Sequence, residues 1–100
     1  MYIVNKVKAD NDGRIVITGL FGYGKVPKKV VLVVDGEKGQ IIVMTPEEAP
    51  DFGIVSNVEN KNRVVLPRWM LEETATRDFL LIIDDDGKKY ISPKNGNVLP

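Results

Sequence analysis

The chain of 100 residues is 43% hydrophobic, which is enough to build the core of one small domain. Fourteen Lys and Arg balance fourteen Asp and Glu, so an anion-binding surface requires local segregation of charge. Without Cys or His the chain lacks disulfides, thiolate metal sites and the usual general base, so we expect no enzyme, metal site or cofactor. With no run of about 18 apolar residues and no signal-like opening, we expect a cytoplasmic protein without membrane contact.

The first half of the chain predicts four strands. The segment "IVNKVKA" (3–9) leads through the polar turn "DNDGR" (10–14) into a short apolar strand, "RIVIT" (14–18). After a connection come "VVLVVD" (30–35), an Asp/Gly turn and "QIIVMT" (40–45). Their short length and their content of Val and Ile favour strands over helices.

The second half repeats this plan 49 residues later. The equivalent strands are predicted at "IVSNVE" (54–59), "RVVLP" (63–67), "FLLIIDD" (79–85) and "KKYISP" (88–93). The two best-aligned segments share five identities in eighteen positions, where chance gives about one. We therefore predict one domain of two repeats, residues 1–46 and 54–94, joined by a linker at 47–53.

The connection in the middle of each repeat differs. "PRWMLEETATRD" (67–78) predicts a short helix with Pro67 in its first turn. "TGLFGYGKVPKK" (18–29) contains three glycines and Pro27, which predict a loop instead. We therefore expect one short helix, in the second repeat.

The stretch "GLFGYGKV" (19–26) lacks only a final Ser or Thr to match a phosphate-binding loop. A phosphate cradle also needs a helix after its glycines, and here Val26, Pro27 and a strand follow. Turn formation is therefore the favoured role of the glycines. An alternative stays open, because "TGLFGYGK" resembles the glycine motif of archaeal riboflavin kinases, which are small nucleotide-binding barrels. The ligand-binding residues of that alternative are Gly19, Gly22, Gly24 and Lys25.

The repeated unit, with the pattern D-x-x-G-R-[IV]-V-[IL]-P before its helix, resembles the AbrB/MazE/MraZ family. Asp10 and Arg14 match the D-x-x-x-R motif of that family, Glu59 and Arg63 match it with Glu for Asp, and Pro67 matches its Pro. The resemblance implies a mainly β fold, a duplicated swapped-hairpin (cradle-loop) β-barrel, present as a monomeric pseudo-dimer or a homodimer. It also implies a transcription regulator that binds duplex DNA.

In that family, DNA contacts come from the turn Arg, from basic residues of the first strand and from the helix. The candidate DNA-binding residues are Lys6, Lys8, Arg14, Lys61, Arg63 and Arg68. Two interpretations of the turn arginines stay open. They contact phosphates or guanine edges, or they form structural ion pairs with Asp10 and Glu59, which precede them across tight turns.

The helix arginines of the family are absent from this chain. The equivalent positions are Gly22-Tyr23 and Leu71-Glu72, and Glu72-Glu73 would repel phosphate. These acids and the neutral net charge favour an alternative function. The chain would then be a protein-interaction module, either antitoxin-like or an assembly partner.

Overall fold

A computed structural model describes residues 2–22, 24–36, 39–74 and 76–94, without the side chains of residues 70, 73 and 74. Within these residues the chain is mainly β, as predicted, with eight strands and two short helices. The elements are β1 (Tyr2–Lys8), β2 (Arg14–Val16), α1 (Thr18–Phe21), β3 (Lys29–Asp35), β4 (Gln40–Met44), β5 (Ile54–Asn57), β6 (Arg63–Val65), α2 (Arg68–Thr74), β7 (Asp78–Ile83) and β8 (Lys89–Pro93). No helix among the described residues is long and apolar enough to cross a membrane.

Six strands form one antiparallel sheet in the order β1-β7-β8-β4-β3-β5, while β2 and β6 pair in a separate ribbon. The first strand of each predicted repeat pairs with the third strand of the other, β1 with β7 and β5 with β3. The two registers correspond. Lys8 pairs with Asp78, and moving each by 49 residues gives Asn57 and Lys29, which also pair. The strand pairings among the described residues do not close a barrel, because β1 and β5 remain outer strands of the sheet.

The core lies between the six-stranded sheet and the ribbon, and both predicted repeats contribute to it. It includes four pairs of buried residues 49 positions apart: Ile15 and Val64, Ile17 and Leu66, Val30 and Phe79, and Leu32 and Leu81. Full burial of each such side chain stabilises the fold by about 1.5–3 kcal/mol. Strands β3 and β7 each contribute four buried hydrophobic residues, more than any other strand described.

The connection between β2 and β3 differs from the predicted loop, because α1 forms one helical turn there. Gly19 lies inside this turn and against β1, where an added β-carbon would be 3.3 Å from Cβ of Asn5. The helix ends at Gly22, whose φ of 89° strains other residues and whose N–H donates to the carbonyl of Thr18. Gly19 therefore allows the helix to approach β1, and Gly22 ends the helix, so these glycines do not prevent helix formation.

Candidate nucleic-acid interface

The β2–β6 ribbon brings the two Arg-containing turns together. Arg14 lies opposite Val65, and Val16 lies opposite Arg63. The middle residue of each strand is buried, so these four residues lie on the outer face of the ribbon. The two arginines thus share one face, next to turn 1 (Asp10–Gly13) and turn 2 (Glu59–Asn62).

Turn 1 is held by the carboxylate of Asp10. Its Oδ1 accepts hydrogen bonds from the backbone N–H groups of Asp12 and Arg14, each at 2.9 Å. The N–H of Asp10 also donates to the carbonyl of Arg14, at 3.0 Å. The hydrogen bond from the Arg14 N–H is the main cause that lowers the pKa of Asp10. The carboxylate of Asp10 therefore binds two amides of its own turn.

The guanidinium groups cross from one turn to the other. Nε of Arg14 donates to Oε1 of Glu59 at 2.7 Å, and its Nη1 lies 2.9 Å from Oδ2 of Asp12. Nη1 of Arg63 lies 3.7 Å from Oδ2 of Asp10. The hydrogen bond with Glu59 raises the pKa of Arg14. Each Arg is therefore paired with the carboxylate of the other repeat, and these ion pairs join the two turns.

This pairing covers much of both guanidinium groups. The side chain of Arg14 is 27% exposed and that of Arg63 is 33% exposed. Arg63 also donates through Nε to the carbonyl of Asn60, at 3.0 Å. A phosphate that approached either Arg would compete with carboxylates already in contact. The geometry therefore fits the structural interpretation of these arginines better than direct DNA contact.

Turns 1 and 2 have a residue with positive φ at the same position, and the residue type differs between them. Gly13 has a φ of 81°, and Asn62, 49 positions later, has a φ of 58°. A β-carbon at Gly13 would lie 2.9 Å from Cδ1 of Leu71, whereas Nδ2 of Asn62 donates to Oγ1 of Thr18 at 3.2 Å. Asn tolerates the left-handed region better than most residues. The Asn that replaces Gly in the second motif is thus compatible with the turn.

Turn 2 belongs to a basic surface built around α1. The helix lies between β1, which it contacts through Gly19 and Asn5, and turn 2, where the carbonyl of Asn62 accepts from the N–H of Ile17 at 2.9 Å. The loop after α1 also reaches this region, because the carbonyl of Lys28 accepts from the N–H of Val58 at 2.9 Å. We call β1, α1, residues 22 and 24–28, and turn 2 the α1 surface.

The segments of the α1 surface contain five exposed lysines. They are Lys6, Lys8, Lys25, Lys28 and Lys61. Lys6 and Lys8 alternate along β1 with Asn5 and Val7 and therefore point to the face of β1 away from α1. The single carboxylate in these segments of the sequence is Glu59, which is paired with Arg14. The formal charge of this surface is therefore strongly positive, although the net charge of the whole chain is zero.

The corresponding surface around α2 carries more acids than bases in the sequence, although two of these acids, Asp10 and Asp12, are paired with Arg63 and Arg14. The carbonyl of Gly13 in turn 1 accepts from the N–H of Leu66 at 2.9 Å, which corresponds to the Asn62–Ile17 bond near α1. The carbonyl of Arg77 accepts from the N–H of Ala9 at 2.7 Å, which corresponds to the Lys28–Val58 bond. We call β5, α2, residues 76–77 and turn 1 the α2 surface. In the sequence it carries four acids and two bases, namely Asp10, Asp12, Glu72, Glu73, Arg68 and Arg77.

A cleft of about 760 Å³ opens on the α2 surface, between turn 1 and α2. Its lining includes Asn11, Asp12, Arg68, Leu71, Glu72 and Arg77. The charges of this cleft have mixed sign, and Nη1 of Arg77 donates to the carbonyl of Asp10. Among the described residues, no group of three or more acidic side chains is arranged to hold a metal ion.

The predicted DNA-binding residues fall in three places. Lys6, Lys8 and Lys61 lie on the α1 surface, Arg14 and Arg63 lie on the ribbon, and Arg68 begins α2 on the α2 surface. The predicted DNA-binding residues therefore do not share one face. Lys25, which was predicted for the alternative ligand site, and Lys28 also lie on the α1 surface, where the carbonyl of Lys28 accepts from the N–H of Val58.

The alternative ligand site at the glycine loop has no helix after it. Gly22 and Gly24 have φ values of 89° and 72°, and the chain then runs through Lys25 to β3. The N-terminal helix dipole of a phosphate cradle is thus lacking. Tyr23 of this loop lies outside the described residues, as do the side chains of Met70 and Glu73.

The chain matches no family model, and no curated protein sequence is significantly similar to it.

Proposed function

We propose that the protein is a duplicated swapped-hairpin domain of the AbrB/MraZ type that binds duplex DNA through its α1 surface. The observation that carries the proposal is the segregation of charge, with Lys25, Lys28 and Lys61 beside α1, two further lysines on the adjoining strand β1, and more acids than bases in the sequence around α2. The exchange of first strands between the repeats, in matched registers, supports the swapped-hairpin architecture.

In this proposal the lysines contact phosphate oxygens. Lys6 and Lys8 extend from β1, Lys61 from turn 2, and Lys25 and Lys28 from the loop after α1. Phosphate contacts position a protein on DNA and carry no base sequence directly. We therefore expect general affinity for duplex DNA, with a strong dependence on salt, because each neutralised phosphate releases counterions.

Arg14 and Arg63 have a different role in the proposal. Their ion pairs with Glu59, Asp12 and Asp10 hold turns 1 and 2 on the ribbon, so that turn 2 and Lys61 keep their position beside α1. These arginines are positioning residues. Arg68 is not assigned to the same DNA, since it lies on the α2 surface.

Fluorescence anisotropy with a random-sequence duplex, measured from low to physiological salt, tests this proposal. We expect Lys6→Ala/Lys61→Ala to bind more weakly and to lower the slope of log affinity against log salt by about 1.8. The matched control is Lys88→Ala/Lys94→Ala, which removes two exposed lysines outside the α1 surface. Both variants carry the same net charge, so equal losses of affinity would contradict a DNA site around α1.

A protein-interaction module is the second candidate. The excess of acids on the α2 surface favours it, because these acids would attract a basic partner protein and repel DNA. Absence of DNA binding by the unmodified chain even at low salt would favour this candidate over the first.

A further inference from the structure

The cleft between turn 1 and α2 has the size of a small-molecule binding site. Its volume of about 760 Å³ lies within the range of roughly 300–1,000 Å³ that is typical of ligand pockets. Part of its lining is apolar and consists of Val65, Leu66 and Leu71. Leu66 is buried and Leu71 packs against the core, so the fold holds this apolar part in place. The cleft lies outside the α1 surface and is therefore open to a ligand other than DNA.

Helix α2 presents a base, an apolar residue and an acid to this cleft. Arg68, Leu71 and Glu72 all line it, and their spacing of three and four residues places them on one side of the helix. Arg68 and Glu72 are exposed, and neither has an ion-pair or hydrogen-bond partner among the described residues. A guanidinium and a carboxylate one helical turn apart therefore remain available to a ligand, with an apolar side chain beside them.

Turn 1 and Arg77 complete the charges of the cleft. Asp12 lines the cleft, but its Oδ2 lies 2.9 Å from Nη1 of Arg14, so its charge is already balanced. Arg77 also lines the cleft, and its Nη1 donates to the carbonyl of Asp10, which fixes a second guanidinium there. The described lining thus combines two guanidinium groups that attract an anion with the carboxylate of Glu72, which is available to a cation.

We propose that the cleft between turn 1 and α2 binds a short zwitterionic peptide with apolar side chains, about the size of a dipeptide. Its carboxylate pairs with Arg68, its ammonium pairs with Glu72, and its side chains pack on Leu71. A dipeptide separates its two charged ends by up to about 7 Å, which is comparable to the roughly 5–6 Å between Cβ atoms one helical turn apart. A ligand with an anionic group alone would bring that group close to Glu72, which repels it.

Titration of the ¹⁵N-labelled protein with leucyl-leucine, followed by NMR, tests the site. The amide signals of residues 11–13 and 68–72 are expected to shift in a saturable manner. The dissociation constant is expected to lie below about 1 mM, as the number of ligand atoms allows. An absence of saturable shifts up to about 10 mM, or shifts confined to other residues, would overturn the proposal.

Two modified peptides and two variants assign the charges. N-acetyl-leucyl-leucine lacks the ammonium and leucyl-leucine amide lacks the carboxylate, so each should bind the unmodified chain about tenfold more weakly than leucyl-leucine. Arg68→Gln should no longer distinguish the peptide from its amide, and Glu72→Gln should no longer distinguish it from the acetylated form. Both side chains are exposed, so we expect both variants to fold, and the same spectra show whether they do.

The matched control is Glu47→Gln, which makes the same change at an exposed acid outside the cleft. It should bind leucyl-leucine as tightly as the unmodified chain. Full affinity in both Arg68→Gln and Glu72→Gln would overturn the proposal, and so would an equal loss of affinity in Glu47→Gln. None of these results depends on DNA binding.

Discussion

The α1 and α2 surfaces are built on corresponding backbone but carry opposite charge. Each consists of an outer strand, a short helix after the ribbon and a turn from the other repeat, and contacts 49 residues apart join these parts. Yet Lys6 corresponds to Val55, Lys8 to Asn57 and Lys61 to Asp12. The side chains that point outward have diverged, whereas the buried pairs and the crossed ion pairs have kept their character.

The difference in charge between the α1 and α2 surfaces distinguishes the residues that stabilise the fold from the residues available to bind a partner. The buried residues and the ion pairs at the turns act on both surfaces alike, so they account for the fold. The charges around the two helices are not needed for packing. A homodimer of identical halves would present two equal surfaces, whereas in the proposed function a single chain with two predicted repeats uses one surface for DNA and leaves the other for a different contact.

The largest effect on stability is expected at Gly13 and Asn62, the equivalent positions with positive φ in turns 1 and 2. Gly13→Ala should lower the free energy of unfolding by about 2 kcal/mol, because alanine is strained at positive φ and its Cβ would press on Leu71. Asn62→Gly should cost only about 1 kcal/mol, the loss of one hydrogen bond to Thr18. Urea unfolding measures both. Equal losses would mean that the two turns do not differ in this way.

A smaller effect is expected from the crossed ion pairs. Arg14→Met should destabilise the fold more than Arg63→Met, because Arg14 contacts Glu59 at 2.7 Å and Asp12 at 2.9 Å, while Arg63 lies 3.7 Å from Asp10. Thermal unfolding of the two variants gives the order. Arg14→Glu/Glu59→Arg, which exchanges the two charges, should be more stable than Arg14→Glu alone, and a double variant less stable than Arg14→Glu would count against a direct pair.

The smallest effect is expected at acid pH. The pKa of Asp10 is lowered in the folded protein, chiefly by the Arg14 N–H, so its contribution to stability is present above the ordinary value of 3.8 and is lost as pH falls through the folded-state pKa. Asp10→Asn should therefore be less stable than the unmodified chain at neutral pH and approach it in stability below pH 3.8. A difference that stays constant with pH would show that the carboxylate charge is not involved.

Local pattern was sufficient for most of the fold. The apolar runs at β3 and β7 and the Pro67 start of the second helix predict elements that the structure contains. The helix α1 could not be predicted in this way, because Gly19 is accommodated by its contact with Asn5 on a distant strand. Tertiary contact overrides local propensity there.

The candidate site was less predictable than the fold. The sequence identifies Arg14, Arg63, Asp10 and Glu59, but the choice of partner follows from the exchange of strands, which spacing alone does not specify. The charge difference between the surfaces has a signal in the sequence, since Lys6 and Lys8 have no basic counterparts 49 residues later. That Lys25 and Lys28 belong to the α1 surface is known only from the folded positions of the loop after α1 and of turn 2.

The most direct test of the central claim exchanges one pair of charges between the two surfaces. Lys61→Asp/Asp12→Lys keeps the composition and the zero net charge of the chain and moves one lysine from turn 2 to the equivalent position in turn 1. Its affinity for duplex DNA is measured beside Lys61→Asp alone, and circular dichroism checks the fold of both. A DNA site around α1 predicts that the double variant binds as weakly as Lys61→Asp, with the salt slope lower by about 0.9. Recovery of the original affinity in the double variant would contradict it.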